Sequence, residues 1–288
     1  MPLYSGISGE INTPALRRNM HTELIGILAI VLYLASSLLL ALRLARRDLP
    51  VPLGRGGAIA LGLGAVLLHG SALYPLLVTA AGLNLGFFNA ASLVGWLTAL
   101  LLLTSSLQRP LENLGIALLP MAALTIALMF AYPSRHVLST ENGWQLDLHI
   151  LLSVLAYSLL VIAALQAILL AIQNHQLRNR HPGGLIRALP PLQTMESLLF
   201  QIIITGFILL SAALLTGFFF LEDIFAQHLV HKTILSLVAW TVFAVLIWGH
   251  WKFGWRGRTA IRWTLGGFVF LMLAYFGSKL VLELLLGR

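Results

Sequence analysis

Leu24-Ile25-Gly26-Ile27-Leu28-Ala29-Ile30-Val31-Leu32-Tyr33-Leu34-Ala35-Ser36-Ser37-Leu38-Leu39-Leu40-Ala41-Leu42 runs for 19 residues without one charged side chain. At a rise of 1.5 Å per residue it reaches about 28 Å as a helix, close to the hydrocarbon thickness of a bilayer. We place the span itself at 23–44, and seven further apolar stretches follow near 57–80, 86–106, 113–132, 147–172, 198–221, 233–251 and 263–284. Proline and charge separate them, as in Arg46-Arg47-Asp48-Leu49-Pro50, Gln108-Arg109-Pro110, Tyr132-Pro133-Ser134-Arg135 and Pro190-Pro191. The expected fold is therefore all-α, a polytopic membrane helix bundle of about eight transmembrane helices. A polar N-terminal segment, 1–22, precedes a single eight-span membrane domain, 23–288.

The composition agrees with this solvent. Of the 288 residues 59% are hydrophobic and only 10% charged, with a mean hydropathy of +0.90, which excludes an ordinary soluble domain. The formal net charge is +8, which in a soluble chain would suggest nucleic acid. Here it reads as topology, because membrane proteins concentrate Lys and Arg in cytoplasmic loops. Twelve of the eighteen basic residues flank or lie between the ends of spans one and two, three and four, five and six, and seven and eight. They are Arg43, Arg46, Arg47, Arg55, Arg109, Arg178, Arg180, Arg187, Lys252, Arg256, Arg258 and Arg262. This count puts those loops in the cytoplasm and both termini outside, on the periplasmic side. Arg17-Arg18 argues the opposite way locally, and a start at Met20 instead of Met1 would remove the conflict. The expected partners are the lipid bilayer and no nucleic acid.

No cysteine is present, so disulfides, thiolate metal sites and cysteine nucleophiles are excluded. There is no His-Glu-x-x-His and no phosphate-binding glycine loop, so a zinc hydrolase or nucleotide enzyme is not expected. No catalytic residue is assigned. Polar side chains inside a bilayer cost enough to be functional candidates, and the histidines dominate that set. His69 is the deepest, about thirteen residues into the second span, where imidazole either ligates a metal or hydrogen-bonds a neighbouring helix. His149 opens the fifth span, with Ser153 and Tyr157 following on the same helical face. His250 closes the seventh span between Trp248 and Trp251. His228 and His231 stand three residues apart in an outer loop, and His136 lies in another. His175 and His181 sit in the basic loop after the fifth span, and His21 precedes the first.

Single histidines on separate helices suit haem, whose iron takes neutral imidazole as axial ligand. His69 and His250 differ in depth by roughly 20 Å on upright helices, so one iron does not join them. His149 pairs more readily with His136, His228 or His231, or with His69 if the boundaries shift by a turn. The candidate haem-iron ligands are thus His149 and His69, and His250, His228 and His231 complete the candidate cofactor-binding set.

Several of these residues stand in familiar surroundings. Leu148-His149-Ile150-Leu151-Leu152-Ser153-Val154-Leu155-Ala156-Tyr157, Lys232-Thr233-Ile234-Leu235-Ser236-Leu237-Val238-Ala239-Trp240, Trp248-Gly249-His250, Gly254-Trp255-Arg256-Gly257-Arg258 and Leu273-Ala274-Tyr275-Phe276-Gly277-Ser278-Lys279 occur in this order. In order and spacing the chain resembles the YpjD/HemX-like branch of the CcsA cytochrome c assembly protein family, over nearly its whole length. The resemblance implies a multi-pass protein of the bacterial cytoplasmic (inner) membrane that binds or handles haem b, with His149 as the external ligand and His250 as the membrane-embedded one. It also implies partners among cytochrome assembly proteins or a membrane complex. Two features depart from the family pattern. The segment before Lys232, Leu221 to His231, contains no tryptophan where the family carries its Trp-rich haem-presenting loop, and no second external histidine follows the last span. A non-haem accessory or regulatory membrane subunit is the alternative reading. A small-ion or solute transporter using His69, Lys279 and Glu283 is the third.

Overall fold

The computed structural model describes residues 13–45, 54–80, 82–133, 137–139, 143–179, 189–220 and 227–277. Among them, eight helices are long and apolar enough to cross a membrane. They are α1 (Thr13–Ala45), α2 (Arg55–Leu77), α3 (Phe87–Gln108), α4 (Gly115–Ala131, after a 3-10 turn at Glu112–Leu114), α5 (Gly143–Arg178), α6 (Leu192–Phe220), α7 (Gln227–Phe253) and α8 (Gly257–Met272, continued by a π-turn at Leu273–Gly277). The membrane helix bundle expected from sequence is the observed architecture, and the spans agree with it to within two turns as far as residue 277, except that α1 begins at Thr13, ahead of the expected start at 23 by more than two turns.

Where helices outrun their apolar windows, a local interaction explains it. The polar end of α5 is held because the Gln173 side chain donates to the Pro190 carbonyl at 3.0 Å, closing the connection to α6. Helix α6 starts directly after Pro190-Pro191, where a proline's missing N–H costs nothing, and Met195 N–H reaches the Pro191 carbonyl. The α7–α8 connection is only three residues long because Gly254 (φ +67°) adopts the left-handed region that ends a helix cheaply.

The sequence shows no internal repeat, yet the packing has one. α1 and α3 each pack against α2 and α4, and α5 and α7 each pack against α6 and α8. Each set of four is a ring with the same neighbour order. Since four crossings return the chain to its starting face, the second ring begins in the same direction as the first, as in a parallel repeat. The two rings meet through α3 and α5, with Leu102, Leu118, Ile162 and Leu198 buried at the seam. Outward, Leu24, Ile27, Leu28, Val31, Leu34 and Leu38 of α1 are exposed at helical spacing, which is the arrangement of a lipid-facing surface.

Alternation of direction defines two ends of the bundle. One carries a small sheet that the sequence analysis does not anticipate: β1 (Val78–Thr79) pairs antiparallel with β2 (Gly82–Asn84), which pairs antiparallel with β3 (Val137–Ser139). At the other, the Arg109 end, the start of α2, the end of α3 and the start of α6 come together.

Candidate functional site

His149 lies two turns into α5, half-buried, at the sheet end of the second ring. Its Nδ1 is 2.9 Å from the carbonyl oxygen of Ala213 on α6. A carbonyl only accepts, so Nδ1 carries the proton and Nε2 of the neutral ring keeps its lone pair. Thr216 Oγ1 lies 3.3 Å from the same Nδ1, and Ser153 Oγ lies 3.5 Å from Nε2. The α5–α6 contact thus fixes both tautomer and ring direction, the way a ligating histidine is normally held by a second partner. Deeper along α5, Tyr157 packs against Phe268, Tyr275 and Phe276 of the last helix and its π-turn, and Phe207 stacks on Trp240. Trp240 also donates to Ser211 Oγ at 2.8 Å.

His250 repeats this device at the opposite end. Its Nδ1 is 2.8 Å from the Trp255 carbonyl, so Nδ1–H donates and the lone pair again sits on Nε2. The ring stacks on Phe200 of α6 with centroids 3.5 Å apart. His149 is tied to α6 at Ala213 and His250 at Phe200, thirteen residues apart, which is about 20 Å along a helix. The two side chains therefore address different levels of one ring.

His69 belongs to the first ring and is fully buried. Its Nε2 is 2.9 Å from Ser92 Oγ on α3, and its Nδ1 is 3.3 Å from Tyr33 OH on α1. Both ring nitrogens are occupied, and the Tyr33 ring meets the imidazole edge-on. One turn away Trp96 donates to the Val66 carbonyl at 2.9 Å and lies within 3.0 Å of where a Cβ on Gly70 would stand. These contacts knit α1, α2 and α3 together. The fold does not bring His69 to His149, which sits in the other ring.

His228 and His231 fall in the first turns of α7, but their side chains lie outside the described residues, as do His136, His181, Lys279, Glu283 and the segment 221–226. His175 is exposed and its Nε2 accepts from the Asn179 side-chain amide at 3.0 Å, and His21 is exposed. Among the described residues no group of three or more His, Asp or Glu side chains converges as for a metal ion.

One charged cluster escaped the sequence reading. Glu112, buried at the Arg109 end, places Oε1 3.4 Å from Arg43 Nη1 and 3.2 Å from Arg55 Nε. Arg55 also donates through Nη2 to the carbonyls of Ser106 and Arg109. The partners are 43 to 112 in sequence number, so no local spacing signals the cluster.

A cytochrome c assembly protein family model matches residues 59–286, which takes in most of α2, all of α3 to α8, and His69, His149 and His250. The chain belongs to the cytochrome c assembly protein family. It is 37% identical over 209 residues to the inner membrane protein YpjD of Escherichia coli K12, covering 71% of this chain and 78% of that one. It is also 34% identical over 157 residues to an uncharacterized 28.8 kDa protein in the nifR3-like 5' region of Azospirillum brasilense, covering 54% of this chain and 58% of the relative. No solved structure matches the chain at a significant level. The family and the eight apolar helices agree with the resemblance seen in the sequence.

Proposed function

We propose that this protein holds haem b in the bacterial cytoplasmic (inner) membrane and serves cytochrome c or respiratory-complex assembly, with Nε2 of His149 as an axial ligand. The observation that carries the reading is the Nδ1–H bond from His149 to the Ala213 carbonyl, which leaves a directed lone pair on Nε2 at the membrane boundary. The donor set fits the group: neutral imidazole is a normal haem ligand, and His250 has the same carbonyl-held form. A bound haem would supply an iron centre for transfer or electron relay. The residues of this chain do the rest. Ala213 and Thr216 orient His149, while Tyr157, Phe268 and Phe276 provide apolar ring surface below it. The printed name of the Escherichia coli relative supports the membrane assignment, and the Lys and Arg distribution supports a cytoplasmic Arg109 end with both termini outside.

The test is a pyridine haemochrome assay on protein purified in detergent. A Soret band that is lost or shifted in His149→Ala and kept in His181→Ala is the expected result. Protein that is colourless and stays colourless after haem addition would refute the reading and favour a non-haem accessory subunit. An unchanged spectrum in His149→Ala would move the ligand to His250 or His69.

A further inference from the structure

At the Arg109 end, where the two rings meet, an open cleft of about 400 Å³ lies between the α3–α4 connection and the first turns of α6. Its polar lining is Arg109, Gln193, Thr194, Ser197 and Gln201, and Pro110 and Leu198 form the apolar part. On α6 the residues Thr194, Ser197, Gln201 and Thr205 recur at helical spacing and all are exposed. A polar stripe facing hydrocarbon is unfavourable unless something hydrogen-bonds it. Thr205 satisfies itself through the Gln201 carbonyl at 2.9 Å. Gln201 gives its amide N–H to Ser197 Oγ at 3.2 Å, and its amide oxygen accepts from Arg109. A guanidinium has five N–H donors, and one amide oxygen does not exhaust them.

We propose that this cleft binds the phosphate of an anionic phospholipid headgroup. The chemistry is that of a phosphate: a guanidinium with hydroxyl and amide donors beside it, and no carboxylate in the lining. The nearest acid on α6, Glu196, is turned away and accepts the Gly257 N–H at 2.9 Å. The level is also that of headgroups, because Arg109 stands one residue beyond the end of α3 and Thr194 three residues into α6. Pro110 offers exposed surface to glycerol and acyl carbons. A bound lipid would bridge the first ring to the second, at a seam otherwise closed by leucines. The site is separate from His149 and stands whether or not haem is bound.

The experiment is native mass spectrometry of the full chain, delipidated in detergent and titrated with phosphatidylglycerol, phosphatidylcholine or inorganic phosphate. Wild type should retain one phosphatidylglycerol with about tenfold preference over phosphatidylcholine, whose phosphate is the same but whose choline ammonium is repelled by Arg109. Arg109→Gln should abolish the preference, Arg109→Lys should restore part of it, and Arg178→Gln, on the exposed end of α5, should leave it intact. Thr194→Val weakens binding without touching the Arg109–Gln201 pair, so a misfolded Arg109→Gln does not decide the matter. An undiminished preference in both Arg109→Gln and Thr194→Val overturns the proposal. So does inorganic phosphate that displaces the lipid at equal concentration, which would make this a free-anion site. A protein that crosslinks through a probe at position 197 while no lipid is retained overturns it as well.

Discussion

Replacing Glu112 by Gln removes the one negative charge that faces Arg43 and Arg55 among the described residues, while keeping the shape of the side chain. Glu112 Oε1 sits 3.4 Å and 3.2 Å from the two guanidinium nitrogens, so each gross attraction is about 5 kcal/mol at an effective dielectric of 20. Most of that repays the cost of taking the ions out of water. Deleting one partner of a buried pair costs about 3–5 kcal/mol. Here the Glu112 side chain is 10% exposed but both arginines are 38% exposed, and a freed guanidinium regains part of its hydration. We therefore expect Glu112→Gln to destabilise the protein by about 2 kcal/mol, a roughly thirtyfold change in the folded-to-unfolded ratio. The assay is reversible unfolding by SDS titration in mixed micelles, followed by tryptophan fluorescence. A double-mutant cycle adds the assignment: the Glu112–Arg55 coupling should exceed Glu112–Arg43, because Arg55 is closer and is oriented by the Ser106 and Arg109 carbonyls. A loss under about 0.5 kcal/mol, or no coupling with Arg55→Gln, would refute the idea that this cluster clamps α1, α2 and α4 together.

Two other perturbations follow from the packing, beside the tests of His149 and Arg109 already described. His69→Leu leaves the buried hydroxyls of Tyr33 and Ser92 without their shared partner, so stability in the same titration should fall by about 1–3 kcal/mol. The Soret band of haem-loaded protein should be unaffected, and loss of colour would make His69 a ligand instead of a helix tie. Gly249→Ala puts a methyl group 2.4 Å from the Trp255 ring, which must shift by more than an ångström while its carbonyl is holding His250. Overpacking of this kind costs about 1–3 kcal/mol. An unchanged thermal midpoint together with an unchanged Trp emission spectrum would show that the loop gives way freely.

Much of the site was legible because membrane solvent makes polarity expensive. His149, His250 and His69 stand out from sequence alone because each interrupts or borders a long apolar run. Their roles were not legible. Depth alone ranked His69 with His149, and only the side-chain partners separate them. One ring has both nitrogens engaged and the other has a carbonyl on Nδ1 with Ser153 near Nε2. Hydrophobicity windows also place helix centres better than helix ends, since the ends depend on single contacts such as Gln173 with Pro190. The small sheet was missed because strands of two or three residues carry no periodicity to read.

From the order of residues follow the eight spans, the exclusion of cysteine chemistry, and the histidines worth naming, because transfer of a side chain into hydrocarbon is a property of that side chain. Which helices adjoin is a property of pairs far apart in the chain. Only the packed structure arranges two rings of four with matching neighbour order, sets His149 and His250 about 20 Å apart along α6, and closes Glu112 on two arginines from other helices. Apolar runs look alike to lipid, so the specificity of assembly resides in close contacts and directed hydrogen bonds that no single span displays.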